Sequence, residues 1–259
     1  MTKPASALYA INHFDLGKKI TVHLTKGIEQ AGKRPLVFFR ADDIGIPSHR
    51  FQQLIDCFKS HNLPLCLATV PAWLTQERLV ELRRLTGVNT LQWCWHQHGY
   101  IHRNFEKNGK KQEFGPTRTE REIRASLTKG RDRLEQLLER DFRPVFTPPW
   151  NRCSNTALQI LADLDYRAVS RSRGASPQPP PILPDLQVNV DLHTRKETDP
   201  QLAVNNFLEE LEAGLASGLC GIMIHHQRMN KAALGLLDIL LAAIKANSNL
   251  QPVTFTDLM

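Results

Sequence analysis

A chain of 259 residues exceeds the ~100–200 of an average domain but stays within the span of one α/β barrel. Its formal charge of +7 favours anionic partners electrostatically, yet the basic residues form no compact run interleaved with aromatics, so no nucleic-acid surface is expected. No stretch approaches the ~18 uninterrupted apolar residues of a membrane span, and residues 1–18 carry no basic segment followed by an apolar one. Neither a membrane protein nor an exported one is expected, and the location read from this pattern is cytoplasmic.

In chain order, apolar runs alternate with helical patterns, the signature of a parallel sheet with crossover helices. Residues 1–34 precede the first strand and are read as an N-terminal extension packed on the domain. A strand is predicted over 35–40, then a helix over 47–60 with Phe51, Leu54, Ile55 and Phe58 at helical spacing and Ser48 as N-cap. A second strand follows over 63–70, and Thr75 caps a helix through Leu85 that Gly87 ends. The third strand spans 90–96. Residues 103–118 are polar and basic, either a lid over a site or a surface loop. Thr119 with Glu122 forms a capping box ahead of Ile123, Leu127, Leu134, Leu137 and Leu138. Strands over 143–147 and 167–170 lead to a proline-rich stretch, 174–185, read as a stiff connection within one domain. Strands over 187–192 and 219–225, with helices over 202–216 and 231–246, complete the set. Seven strands in this order predict a single-domain distorted (β/α)7 barrel, TIM-barrel-like, over residues 1–259. Cys57, Cys66, Cys94, Cys153 and Cys220 contain no CxxC pair and mostly have apolar neighbours, which fits reduced, buried thiols.

Polar residues gather where such a fold places its chemistry, at the C-terminal ends of the strands. Asp42 and Asp43 follow the first strand, His96, His98 and His102 the third, Thr147-Pro148-Pro149-Trp150 the fourth, Asp191 the sixth and His225-His226 the seventh. One carboxylate and two imidazoles suffice to bind a divalent ion, and a spare aspartate can act on a water bound to it. Each group also has an ordinary structural reading. The aspartates suit a turn before Pro47, His98 and His102 a histidine-containing loop, and His96 either the core or the support of a ligand. Neighbours on a strand face opposite ways, so His225 and His226 divide between pocket and core.

Taken in order, these motifs resemble those of the polysaccharide deacetylase superfamily, the NodB-like group that contains chitooligosaccharide and peptidoglycan deacetylases. Arg40-Ala41-Asp42-Asp43-Ile44-Gly45 resembles its first motif, His98 and His102 its second, Thr147-Pro148-Pro149-Trp150 its third, and Ile222-Met223-Ile224-His225 its last. The resemblance implies that Asp43, His98 and His102 hold the metal, Asp42 is the general base and His225 the acid that protonates the leaving amine. It also implies a substrate wall from Trp150, Tyr100 and Pro149, with His96, His226, Arg152 and Asp191 in supporting places. Zinc leads the candidate ions, with cobalt, nickel, manganese and iron behind it. One departure stands out: the family's third motif opens with an arginine that pairs with the catalytic aspartate, and here that position is Thr147.

The function expected is metal-dependent hydrolysis of an amide C–N bond, N-deacetylation of an amino sugar or oligosaccharide above all. The alternatives are hydrolysis of a cyclic ureide or imide, and a non-catalytic barrel that binds a glycan or polyanion. The sequence gives no reading of oligomeric state.

Overall fold

The computed structural model describes residues 6–10, 15–87 and 90–259; the remainder of the N-terminal extension and Val88-Asn89 lie outside the described residues. The strands form a sheet in the order β5-β4-β3-β2-β1-β7-β6, with β8 beside β1. By packing, the chain divides into two compact units, Met1–Ala41, Ser48–Leu65 and Asn189–Thr254 in the first, Asp42–Pro47, Cys66–Val188 and Phe255–Met259 in the second.

In the first unit, α1 (Leu16–Ala31) buries Leu16, Ile20, Leu24 and Gly27 at the spacing of one helix face. Gly27 has no Cβ because one would strike the backbone of Glu212 and the Leu215 side chain on α6 (Pro200–Ala216). The sequence reading left α1 inside an undivided extension. β1 (Leu36–Ile44) pairs in parallel with β7 (Leu219–Ile224) from Leu36↔Leu219 to Ala41↔Ile224, and β6 (Val190–Asp191) joins β7 through Val190↔Ile222. A parallel strand buried on both faces reads as a continuous apolar run, which is why Leu36-Val37-Phe38-Phe39 was legible. β8 (Gln251–Val253) pairs with β1 and was not predicted; three residues with a central proline offer no alternating or continuous apolar run. α2 (His49–His61) begins at Ser48, whose hydroxyl accepts the Phe51 N–H at 3.1 Å. α7 (Lys231–Ala246) buries Leu236, Leu237, Leu240, Leu241 and Ile244, each worth about 1.5–3 kcal/mol of burial.

The second unit contains β2 (Leu65–Thr69), β3 (Trp93–His98), β4 (Phe142–Thr147) and β5 (Ala168–Val169), the last three paired in parallel. α3 (Gln76–Thr86) takes the Thr75 cap and Gly87 stop expected of it, and α4 (Glu120–Leu138) the full Thr119–Glu122 capping box. α5 (Asn155–Asp163), capped by Ser154, was missed because a nine-residue helix offers few turns of periodicity. Phe114, Phe146, Tyr166, Leu158, Leu161 and Ile123 form its core. The proline-rich stretch ends at Asp185, whose carboxylate pairs with buried Arg171 at 2.8 Å.

Strand ends shift both ways: β5 keeps only Ala168–Val169 of 167–170, β6 only Val190–Asp191 of 187–192, and β7 stops at Ile224, while two others lengthen. β1 extends to Ile44 and β3 to His98, both beyond the ends predicted at 40 and 96. The Ile44 carbonyl still accepts the Val70 N–H at 2.8 Å, so hydrogen bonding carries the strand through two aspartates that its apolar pattern would have excluded. Asp42, Asp43 and His98 therefore lie on sheet backbone, a stiffer support than the loops predicted for them. Four of the five cysteines are buried and Cys57 is intermediate, all as free thiols.

Candidate metal centre

Asp43, His98 and His102 come together within the second unit, each offering one donor atom within 4.8 Å of the others. Both Nε2 atoms face the same carboxylate oxygen: Asp43 Oδ1 is 3.4 Å from His98 and 3.1 Å from His102. His98 Nδ1 lies 2.9 Å from the Thr147 carbonyl oxygen. A carbonyl can only accept, so Nδ1 carries the proton and Nε2 presents its lone pair to the centre, the arrangement by which a backbone group orients a metal-binding imidazole. Two imidazoles and one carboxylate, with a tautomer set for ligation, fit a divalent ion with open positions for water and substrate.

The carboxylates and burial act on the two imidazoles in opposite directions. Burial pulls the His98 pKa down, but Asp43, the charge of Asp42 and the Thr147 carbonyl outweigh it and raise the value above that of a free histidine. His102 goes the other way, lowered first by burial and then by the neighbouring His98. Asp42 is 2 % exposed at the end of β1, and its effect on His98 places its charge beside the donor set.

The backbone around the donors takes conformations that L residues adopt rarely. Asp43 has φ 65°, His102 φ 56°, Trp150 φ 57° and Asn151 φ 58°, and such residues cluster at functional sites because surrounding structure must hold them there. The holding is visible at one place. The carboxylate of Glu113, fully buried, accepts backbone N–H groups from Tyr100, Ile101 and His102, at 2.8 Å from Ile101 and 3.1 Å from His102. Gly99, at φ 60°, makes the approach possible, since a side chain there would collide with Glu113 Oε2 and the Pro149 ring. Burial raises the Glu113 pKa, with the amides and the His98 charge opposing. Beneath the same turn, Gln97 donates to the Gly99 carbonyl at 2.9 Å and accepts from the Tyr166 hydroxyl.

Glu113 and Gln97 were not singled out from sequence. Glu113 sits in the stretch read as lid or surface loop, and nothing in its neighbours marks a buried carboxylate. That stretch divides: Lys107 to Lys111 are exposed, whereas Glu113 and Phe114 are buried and Phe114 forms a parallel bridge with Cys153.

Other predicted residues fall in several places. Trp150 lies with its ring 4.7 Å from that of His102, and Trp73 flanks the same imidazole at 5.5 Å. Pro149 is buried, while Tyr100 packs on the Phe114 cluster with Lys129 5.6 Å from its ring. His96 Nε2 is 3.0 Å from the Thr147 hydroxyl and its ring meets Phe255 at 4.9 Å. Arg152 reaches the Lys111 carbonyl at 3.5 Å. In the first unit, His225 is half-buried and its backbone N–H donates to His193 Nδ1 at 3.2 Å; His226 is buried against Phe51. Asp191 ties its own turn by accepting the His193 and Thr194 N–H groups, each at 2.8 Å.

A parallel α/β sheet with one carboxylate and two imidazoles gathered at and just beyond its strand ends is the class this chain defines. No family model matches the sequence, and no curated protein matches it significantly. Solved structures do. A protein designated a polysaccharide deacetylase from Mycobacterium smegmatis superposes with TM-score 0.64 at 16% identity, covering 88% of this chain and 89% of its own. A family 4 acetyl xylan esterase from Clostridium thermocellum, solved with a cobalt ion, gives 0.55 at 16% identity over 86% and 89%. A CE4-family pseudoenzyme from Bacillus anthracis gives 0.54 at 14% identity over 88% and 66%. The fold is that of the polysaccharide deacetylases, the (β/α)7 barrel class expected from the sequence.

Proposed function

We propose that the protein is a metal-dependent hydrolase that removes the N-acetyl group of an amino sugar or short glycan. The observation that carries the reading is the Asp43, His98 and His102 donor set, with the His98 tautomer fixed by Thr147. A divalent ion bound there, zinc before cobalt, nickel, manganese or iron, supplies Lewis acidity at the acyl oxygen and lowers the pKa of water. Asp42, buried beside the donors, takes the proton of the attacking water as general base. His225, assigned by its resemblance to the family's closing motif, donates a proton to the leaving amine. Trp150 and Trp73, flanking His102, offer aromatic faces to a sugar ring. The products are acetate and a free amine.

The test is acetate release from N-acetylglucosamine oligomers by zinc-loaded protein, run beside ammonia release from cyclic ureides and imides. Asp42→Asn is expected to lower kcat by about 10²–10⁴-fold, the usual contribution of a general base, and His98→Ala to abolish turnover with loss of the ion. Turnover of the cyclic amides alone would move the substrate class. Turnover unchanged in Asp42→Asn would remove the mechanism.

A second reading, a non-catalytic glycan-binding barrel, is favoured by one observation. Where the family places an arginine, the Thr147 hydroxyl is engaged with His96, and a neutral hydroxyl cannot supply the missing charge. It predicts chitooligosaccharide binding that survives Asp42→Asn with no acetate release.

A further inference from the structure

Within the first unit, a second set of donors meets between α2 and α7. Cys57 and His61 lie one helical turn apart on the same face of α2, and Asp238 projects from α7. Their Sγ, imidazole nitrogen and carboxylate oxygen lie within 4.8 Å of one another, and His61 Nε2 is 2.7 Å from Asp238 Oδ1. We infer that Cys57, His61 and Asp238 form a separate binding site for a zinc-class ion, a clip that ties the last turn of α2 to the middle of α7.

Donor chemistry selects the class of ion. A thiolate with an imidazole suits zinc or cobalt(II), whereas calcium and magnesium prefer oxygen alone. Three protein donors leave the remaining position to water, which the 61% exposed Asp238 side chain admits, while His61 is 18% exposed. The rival reading is an ordinary surface ion pair between His61 and Asp238 beside an unconnected thiol. Such a pair contributes little when one partner is this exposed, and it assigns no part to Cys57. That thiol is not a poised nucleophile either: burial, then the charge of Asp238, pushes its pKa up to about 12. An ion with thiolate affinity would displace its proton and bind in the position the other two donors already define.

The donor set built on Asp43 contains only nitrogen and oxygen, so sulfur ligation reports this second site by itself. Cobalt(II) titrated into the wild-type protein is expected to produce a near-ultraviolet thiolate-to-cobalt charge-transfer band that saturates within about two equivalents per chain, the Asp43 donor set taking the other ion, and is displaced by zinc. Cys57→Ser should abolish the band, and His61→Ala should weaken binding by at least about tenfold, the lower end of what disturbing a metal site costs. The same titration of His98→Ala/His102→Ala protein should leave the band unchanged. Absence of the band in the wild type, or its persistence in Cys57→Ser, would overturn the assignment, whichever way the hydrolase experiments fall.

Discussion

Single side chains decide whether the donors at the strand ends form a site. Glu113 does this from outside the donor set: one buried carboxylate gathers the N–H groups of Tyr100, Ile101 and His102 and so fixes a turn whose last residue, a candidate donor, has positive φ. Glu113→Gln keeps one accepting oxygen but brings an NH₂ group toward backbone donors. We expect zinc affinity at the Asp43 centre to fall about 10–100-fold, measured by calorimetry in a Cys57→Ser background with far-ultraviolet dichroism unchanged. Equal affinity in the two proteins would show the turn to be held by other contacts. Thr147 acts twice at this scale, its carbonyl setting the His98 tautomer and its hydroxyl meeting His96. Thr147→Val retains the first contact and deletes the second, at a cost of about 0.5–1.5 kcal/mol, the net worth of one hydrogen bond, read from the urea midpoint.

At the scale of elements, caps and strand ends were the legible features and short or edge pieces were not. Ser48, Thr75 and Thr119 each accept an N–H as their sequences predict. Replacing Thr119 by alanine should cost about 1 kcal/mol through the lost capping box, checked by thermal unfolding. Between β6 and α6 the connection is pinned by charge. Arg195, its side chain 2% exposed, bonds Glu197 at 2.7 Å and Glu210 at 2.5 Å, and the Asn206 amide of α6 donates to Glu197 at 3.0 Å. Burial opposes ionisation of Glu197, but Asn206, its own backbone and Arg195 prevail and hold its pKa at about 2. A depressed carboxylate contributes stability that is present above its unfolded pKa of ~4.3 and lost as pH falls through the folded value. Wild-type protein should therefore lose more of its urea midpoint between about pH 5 and pH 2 than Glu197→Gln does, by an amount that solvent screening keeps modest. Parallel curves would exclude the linkage.

For the whole molecule, a native-state ligand and stability are coupled. An ion that binds only the folded chain adds about 2.7 kcal/mol when present at a hundredfold excess over its Kd. Zinc should raise the unfolding temperature and chelation lower it, and the zinc-dependent part should shrink in His98→Ala/His102→Ala. A zinc response indifferent to both donor sets would point to binding elsewhere. Among the described residues no helix is long and apolar enough to cross a membrane.

Taken by itself, the sequence determined the alternation of strands and helices, most caps, and which polar residues stand at strand ends, because these depend on spacing along the chain and on the burial of both faces of a parallel sheet. The order of Asp43, His98 and His102 belongs to this group. Only the tertiary structure decided that Asp42, Asp43 and His98 lie on strand backbone, that Glu113 turns inward beneath the turn ending at His102, and that Cys57 meets Asp238. These outcomes depend on hydrogen bonds and packing between segments distant in sequence, and a backbone N–H without an acceptor or a carboxylate without a donor leaves no trace in local periodicity.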